Sequence, residues 1–367
     1  MSCVKLRHRS GYCVGFGSLT AIALTGLSLA GFALVDRACA AETGTADAAP
    51  LADEISPPKF LATWGQEGTG DGQFKAPIGI AINALDEVFV TDAKNSCVQR
   101  FTRDGKFLDK VATGSFPGGI AIDRGGLIYV AVMMDHKISV FRHKSDATGA
   151  ADGVPAFELV REWGKKGTGD GEFDQPGGLA FGPDGTLFVC DQVNHRMQRF
   201  TPEGKFLTKW GEYGDAPGSF GAPEPTTHRV GGPCMAAVDR EGNIHTTEPT
   251  AGRIQRFTLD GQYLGSWGSN QVRVGAFGGG KNLQGPIAIL FDRDNCAWIS
   301  ATNHRVQLFT AAGHYLTGLG TTSTAGNDPG QFRTPHIMAF DSQGVLYVVD
   351  TQNYRVQSFA FEDVAKR

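Results

Sequence analysis

The chain has no basic excess: 34 lysines and arginines stand against 38 acids, a formal net charge of -4. A surface built to neutralise phosphate backbones needs a cationic stripe, so nucleic acid is not expected as the main partner. Proline is sparse beside glycine, 17 against 50, which points to many turns that use positive φ. No GxSxG, HExxH or Gly-Lys-Ser/Thr occurs, so the local signatures of α/β-hydrolases, zinc peptidases and P-loop proteins are missing. CxxCH is absent too, which argues against covalent haem. After the first forty residues there is no long apolar run.

Those forty residues differ from the rest. Lys5, Arg7 and Arg9 give a positive start, and Leu19 to Val35 forms an apolar centre. Ala38-Cys39-Ala40 then places small residues where a signal peptidase reads. The layout predicts a signal peptide over 1-40, cleavage before Ala41 and export to the periplasm or the outside. The competing reading is a retained membrane anchor, weakened by the glycines, serines and threonines of the stretch. Residues 41-58 lack periodic apolar positions and end in Pro57-Pro58, which predicts a flexible linker. Cys97, Cys190, Cys234 and Cys296 remain after cleavage. An oxidising compartment permits disulfides among them, and the sequence does not choose a pairing.

One cadence recurs six times: NSCVQRF to Phe101, DHKISVF to Phe141, NHRMQRF to Phe200, AGRIQRF to Phe257, NHRVQLF to Phe309 and NYRVQSF to Phe359. Each follows two apolar strands, such as GGLAF and TLFVCD, and the first five precede an aromatic strand such as KFLTKW. Every repeat therefore holds four short strands. A sheet apolar on both faces needs a neighbour on each side to exclude water. The expected fold is all-β: a six-bladed β-propeller of four-stranded antiparallel blades over 59-361, with a C-terminal tail at 362-367. The last repeat lacks a fourth strand, and the orphan KFLATW at Lys59 to Trp64 matches that pattern. It is expected to complete the last blade and close the ring.

The segments WGQEGTGDGQFKAPIGIAI, WGKKGTGDGEFDQPGGLAF and NHRMQRF resemble the NHL repeat. The resemblance implies an interaction platform that offers its top face to a protein, peptide or glycan. One relative of different character, the peptidyl-hydroxyglycine amidating lyase, carries Pro-His at three inner-strand starts, and those histidines hold zinc. Here Thr334-Pro335-His336-Ile337 matches one of the three, while alternate blades carry Gly118 and Cys234, and the lyase's tyrosine is missing. Two functions follow: an exported binding platform, or a metal-dependent lyase or hydrolase with its site at the channel mouth. A calcium hydrolase resembling gluconolactonases would need channel acids outside the repeat. Zinc or calcium are the cations such sites would take, and a monomer is expected.

Asp92, Asp191, Glu248 and Asp350 recur at one place in the cadence, with Arg196, Arg253, Arg305 and Arg355 expected as their partners. Repetition in successive blades predicts structural turns, and His195 and His304 are read the same way. The glycine-rich leads are followed by strands, which excludes a phosphate loop. Function is expected where the repeats differ. After Pro77, Pro117, Pro176, Pro233, Pro286 and Pro335 come Ile78, Gly118, Gly177, Cys234, Ile287 and His336. Only Cys234 and His336 among them offer ligand or nucleophile chemistry. They form the candidate channel site and metal pair, with His228, Arg229 and His136 expected in loops over the same face.

Overall fold

The computed structural model describes residues 55-144, 156-221, 231-268, 275-278, 285-320 and 324-361. The signal segment, most of the linker, His228, Arg229 and the tail lie outside the described residues.

Six four-stranded antiparallel sheets form a six-bladed propeller. The innermost strands are Pro77–Ile82, Pro117–Ile122, Pro176–Phe181, Ala236–Val238, Pro286–Phe291 and Pro335–Phe340. Each touches the innermost strand of the next blade, and the sixth touches the first. Blades are numbered here in that order. The second strands, such as Val88–Asp92 and Leu187–Asp191, are buried along their whole length. The outermost strands alternate, as in Phe107–Ala112, where every second residue faces solvent.

Blade six is built from both ends of the described chain: Lys59–Trp64 pairs antiparallel with Arg355–Ala360. That pairing covers the one third-strand edge that would otherwise offer unpaired amides to another chain.

Neighbouring blades are held by a repeated aromatic trio. Trp64 lies 4.4 Å from Phe101 between ring centroids, and Phe74 5.7 Å from the same ring. Trp163 and Phe173 meet Phe200, Trp210 and Phe220 meet Phe257, and Trp267 and Phe277 meet Phe309. In each trio the tryptophan comes from the blade before, and the lead-loop phenylalanine is fully buried. Burying one such ring contributes about 1.5-3 kcal/mol, and a well-placed ring pair adds about 0.5-1.5 kcal/mol. The trios therefore couple neighbouring blades at four of the six seams.

Glycine decides how close the inner strands come. A Cβ on Gly79 would collide with the Gly118 carbonyl of blade two, and one on Gly119 with the Gly177 carbonyl of blade three. Close packing there needs hydrogen at that position.

Deleting Lys59 to Trp64 removes an edge strand together with Trp64. The melting temperature should fall by about 10 °C or more. Circular dichroism melts of the chain starting at Ala41, with and without the six residues, measure this, and equal melting temperatures would refute the coupling.

Candidate functional site at the channel mouth

The cadence residues are bound into the scaffold. The second residue of every cadence is left-handed: Ser96, His136, His195, Gly252, His304 and Tyr354 all have φ between 53° and 67°. Such a conformation turns the chain sharply at the start of the third strand. Asp191 accepts the Asp174 amide at 2.8 Å and pairs with Arg196 at 2.7 Å. Arg196 also donates to the carbonyls of Thr168, Gly169 and Glu172 in its lead loop. Glu248 with Arg253 and Asp350 with Arg355 repeat this, each at 2.9 Å. Burial raises the carboxyls of Asp191 and Glu248, offset in part by hydrogen bonds to Asn194 and Arg196 and to Arg253.

Two expected pairs are not formed, for reasons visible in the chain. Blade one has Cys97 where others have arginine, so Asp92 takes the amides of Lys75 and Ala76 and the side chain of Asn95. Blade five has Ala301 in place of the acid, and Arg305 donates to the Ala276 carbonyl.

His136 lies in the turn between the second and third strands of blade two, on the face where the inner strands start. It is the cadence histidine of blade two, and its Nδ1 accepts the Gln175 amide at 3.1 Å, as His304 accepts that of Thr334. It pins the next blade's lead and is spent on that contact.

The residue before the blade acid ties inner strands together. Thr91 Oγ1 accepts the Gly79 amide and donates to the Gly118 carbonyl, both at 2.7 Å. Thr247 bridges Met235 to Ile287, and Ser300 bridges Ala288 to His336. In blade three Cys190 stands at this place, hydrogen-bonded to the Gly178 amide, which also reaches the Cys234 carbonyl at 3.0 Å. The Ser300 strut thus fixes the backbone of His336.

His336 and Cys234 both follow the proline of an inner strand. In five of the blades the register against the second strand slips just after that proline. A bulge of this kind re-aims side chains at a rim.

The His336 ring is held on one side. Nδ1 lies 2.8 Å from Thr351 Oγ1 and 3.2 Å from the Thr334 carbonyl. Thr351 Oγ1 spends its own proton on the Pro77 carbonyl at 2.6 Å, so Nδ1 carries the ring hydrogen. Nε2 keeps its lone pair and has no partner among the described residues. Burial also holds the imidazole below its usual value, so it is neutral at pH 7.

Cys234 is a free thiol, as are Cys97 and Cys190, so no disulfide joins any two of Cys97, Cys190, Cys234 and Cys296. Burial pushes the Cys234 thiol up to about 12, which leaves it protonated and a poor nucleophile at neutral pH.

The sequence did not single out Gln192. It follows Asp191, is 4% exposed, and lies against Gly177 where a side chain of the inner strand would otherwise sit. Its Nε2 points at the Cys234 carbonyl at 3.4 Å, and its Oε1 is buried with no partner among the described residues.

A catalytic zinc needs three protein ligands. Among the described residues no group of three His, Cys, Asp or Glu side chains is arranged to hold a metal ion. His228, the third ligand the sequence offered, lies outside them. The described residues therefore do not fit a zinc centre.

Comparison with known proteins places this geometry. The NHL repeat model matches residues 74–101 and 173–200, the leads and first three strands of blades one and three. Peptidyl-glycine alpha-amidating monooxygenase B of Xenopus laevis is 29% identical over 176 residues, covering 46% of this chain and 17% of that protein. NHL repeat-containing protein 3 of Homo sapiens is 24% identical over 204 residues, 53% of either chain. The chain thus spans about a sixth of the first relative and about half of the second. A solved Bacteroides thetaiotaomicron protein of unknown function superposes with a TM-score of 0.61 at 17% identity, over 82% of this chain and 76% of that one. That likeness shows the fold alone.

The sign of a pH effect follows from the His336 ring. Its folded value lies below 6.5, so the unfolded chain takes up this proton first as pH falls. The associated stability is complete above pH 6.5 and is lost as pH drops through the folded value. Between pH 7.5 and pH 5 the wild type should lose more melting temperature than His336→Gln, and equal losses would show the ring is not held neutral.

Proposed function

We propose that this NHL-repeat six-bladed propeller is an exported binding platform that presents its top face to a protein, peptide or glycan ligand. The observation that carries this reading is where the pseudo-symmetry fails. The leads, the cadence turns and the aromatic trios repeat, whereas the residues after the inner-strand prolines run Ile78, Gly118, Gly177, Cys234, Ile287 and His336. The cadence acids Asp191, Glu248 and Asp350, their arginines, and His136 and His304 are engaged in holding turns and loops, and fold by itself does not confer catalysis. Export after cleavage before Ala41 belongs to the same reading.

The top face is built from the lead loops and the turns between second and third strands. Met134 and Tyr213 are exposed there, at 47% and 51%, while Leu85, at 74%, lies in the turn between first and second strands on the opposite face. Exposed large side chains of this kind are typical anchors of interfaces.

One observation favours a second reading. An imidazole whose Nδ1–H is pinned and whose Nε2 lone pair is presented is the usual arrangement of a metal-binding histidine, and the frog amidating monooxygenase is a relative. In that reading the protein is a metal-dependent lyase or hydrolase using zinc or calcium, with ligands beyond those described.

Peptide and glycan arrays probed with the chain starting at Ala41 test the platform. Retention should be lost on Met134→Glu and Tyr213→Glu and kept by Leu85→Glu. The reading fails if the array retains nothing, or if Leu85→Glu matches the top-face variants. Stoichiometric zinc or calcium in protein purified without a histidine tag, lost in His336→Ala, would favour the second reading.

A further inference from the structure

We propose that the channel mouth is a recognition site for an uncharged peptide segment, with Gln192 Oε1 and His336 Nε2 as two hydrogen-bond acceptors on opposite sides of the ring. The inference rests on the platform reading and specifies what that platform takes.

The placement follows from the ring. Gln192 belongs to blade three and His336 to blade six, three steps apart in a closed circle of six, so they face each other across the axis. Each is held by its own blade. The Gln192 amide nitrogen must point at the Cys234 carbonyl, because the NH2 end of the amide donates and its oxygen cannot, and this leaves Oε1 as the free atom. The His336 Nδ1–H is taken by Thr351 and Thr334, and this leaves Nε2 as the free atom.

Both free atoms are acceptors. Gln192 Oε1 is a buried acceptor with no donor among the described residues, which costs free energy in the empty protein that a ligand N–H recovers on binding, while part-buried His336 keeps an Nε2 lone pair for a second donor. The ligand must therefore bring donors. It must also be neutral: the residues following the six inner-strand prolines and those following the six blade-acid positions include no Lys, Arg, Asp or Glu. A charge brought among them would lose its hydration with no partner. Apolar surface completes the site. Part-buried Ile78 follows the proline of the first inner strand, Ile287 is buried behind that of the fifth, and Met133 leans over Gly118 as Gln192 leans over Gly177. Peptide groups offer N–H donors beside apolar side chains without charge, which matches this wall.

The test uses the chain starting at Ala41, labelled with 15N-histidine and titrated with N-acetyl-leucine methylamide, which has two N–H donors, an apolar side chain and no charge. Saturable binding with a shift of the His336 Nε2 resonance is expected. The N,N-dimethylamide, which lacks one donor, and N-acetyl-leucine carboxylate, which is charged, should each bind about tenfold more weakly or worse. Gln192→Leu and His336→Phe should weaken the methylamide by a similar factor, with melting curves confirming that both variants fold.

The proposal is overturned if the methylamide does not bind, if the three probes bind alike, or if the variants bind like wild type. Binding of methyl-β-glucoside at the same atoms, stronger than the methylamide, would overturn the peptide assignment. Array ligands retained through Met134 and Tyr213 while the mouth variants bind normally would leave the platform standing and remove this site.

Discussion

Everything in this protein depends on sheets that are apolar on both faces. The second strand of each blade is buried along its length, but for part-buried Leu127 at the start of that of blade two, so no blade can exist in water without a neighbour on either side. The ring satisfies all six at once. What looks like a list of separate motifs is one requirement met repeatedly: tryptophan from the preceding blade, phenylalanine from the lead loop and phenylalanine from the third strand meet at successive seams. The contact between the sixth and first inner strands, with Lys59–Trp64 paired to Arg355–Ala360, extends the same arrangement to the seam between the chain's two ends.

That requirement consumes most of the chemistry in the sequence. Asp191, Glu248 and Asp350 and their arginines hold lead loops, and the cadence histidines of blades two and five accept lead amides of the next blade. Thr91, Thr247 and Ser300 join inner strands to their neighbours. A second set of acids does the same on the opposite face. Asp123, Asp239, Asp292 and Asp341 cap turns and receive Tyr129, His245, Trp298 and Tyr347. At the channel mouth the inner strands of five blades bulge and the residues of successive blades differ.

The propeller was legible because its cadence repeats: six phenylalanines in register, each behind two apolar strands, leave little choice of architecture. His336 was legible too, as the one histidine after an inner-strand proline. Gln192 was not. It occupies a turn position with no periodicity, and its role comes from Gly177, fifteen residues earlier in sequence and on another strand. Glycine at that place empties a space, and the glutamine fills it. The inner-strand struts were equally hidden, since a threonine in a buried strand reads as β-propensity until its hydroxyl is seen between an amide and a neighbour's carbonyl.

The six blades stand or fall together. Native-state hydrogen exchange with rising denaturant reads this out blade by blade. Third-strand amides of all six blades are expected to converge on one opening free energy. Blades that open at separate free energies, with blade six exchanging while blade three stays protected, would contradict it.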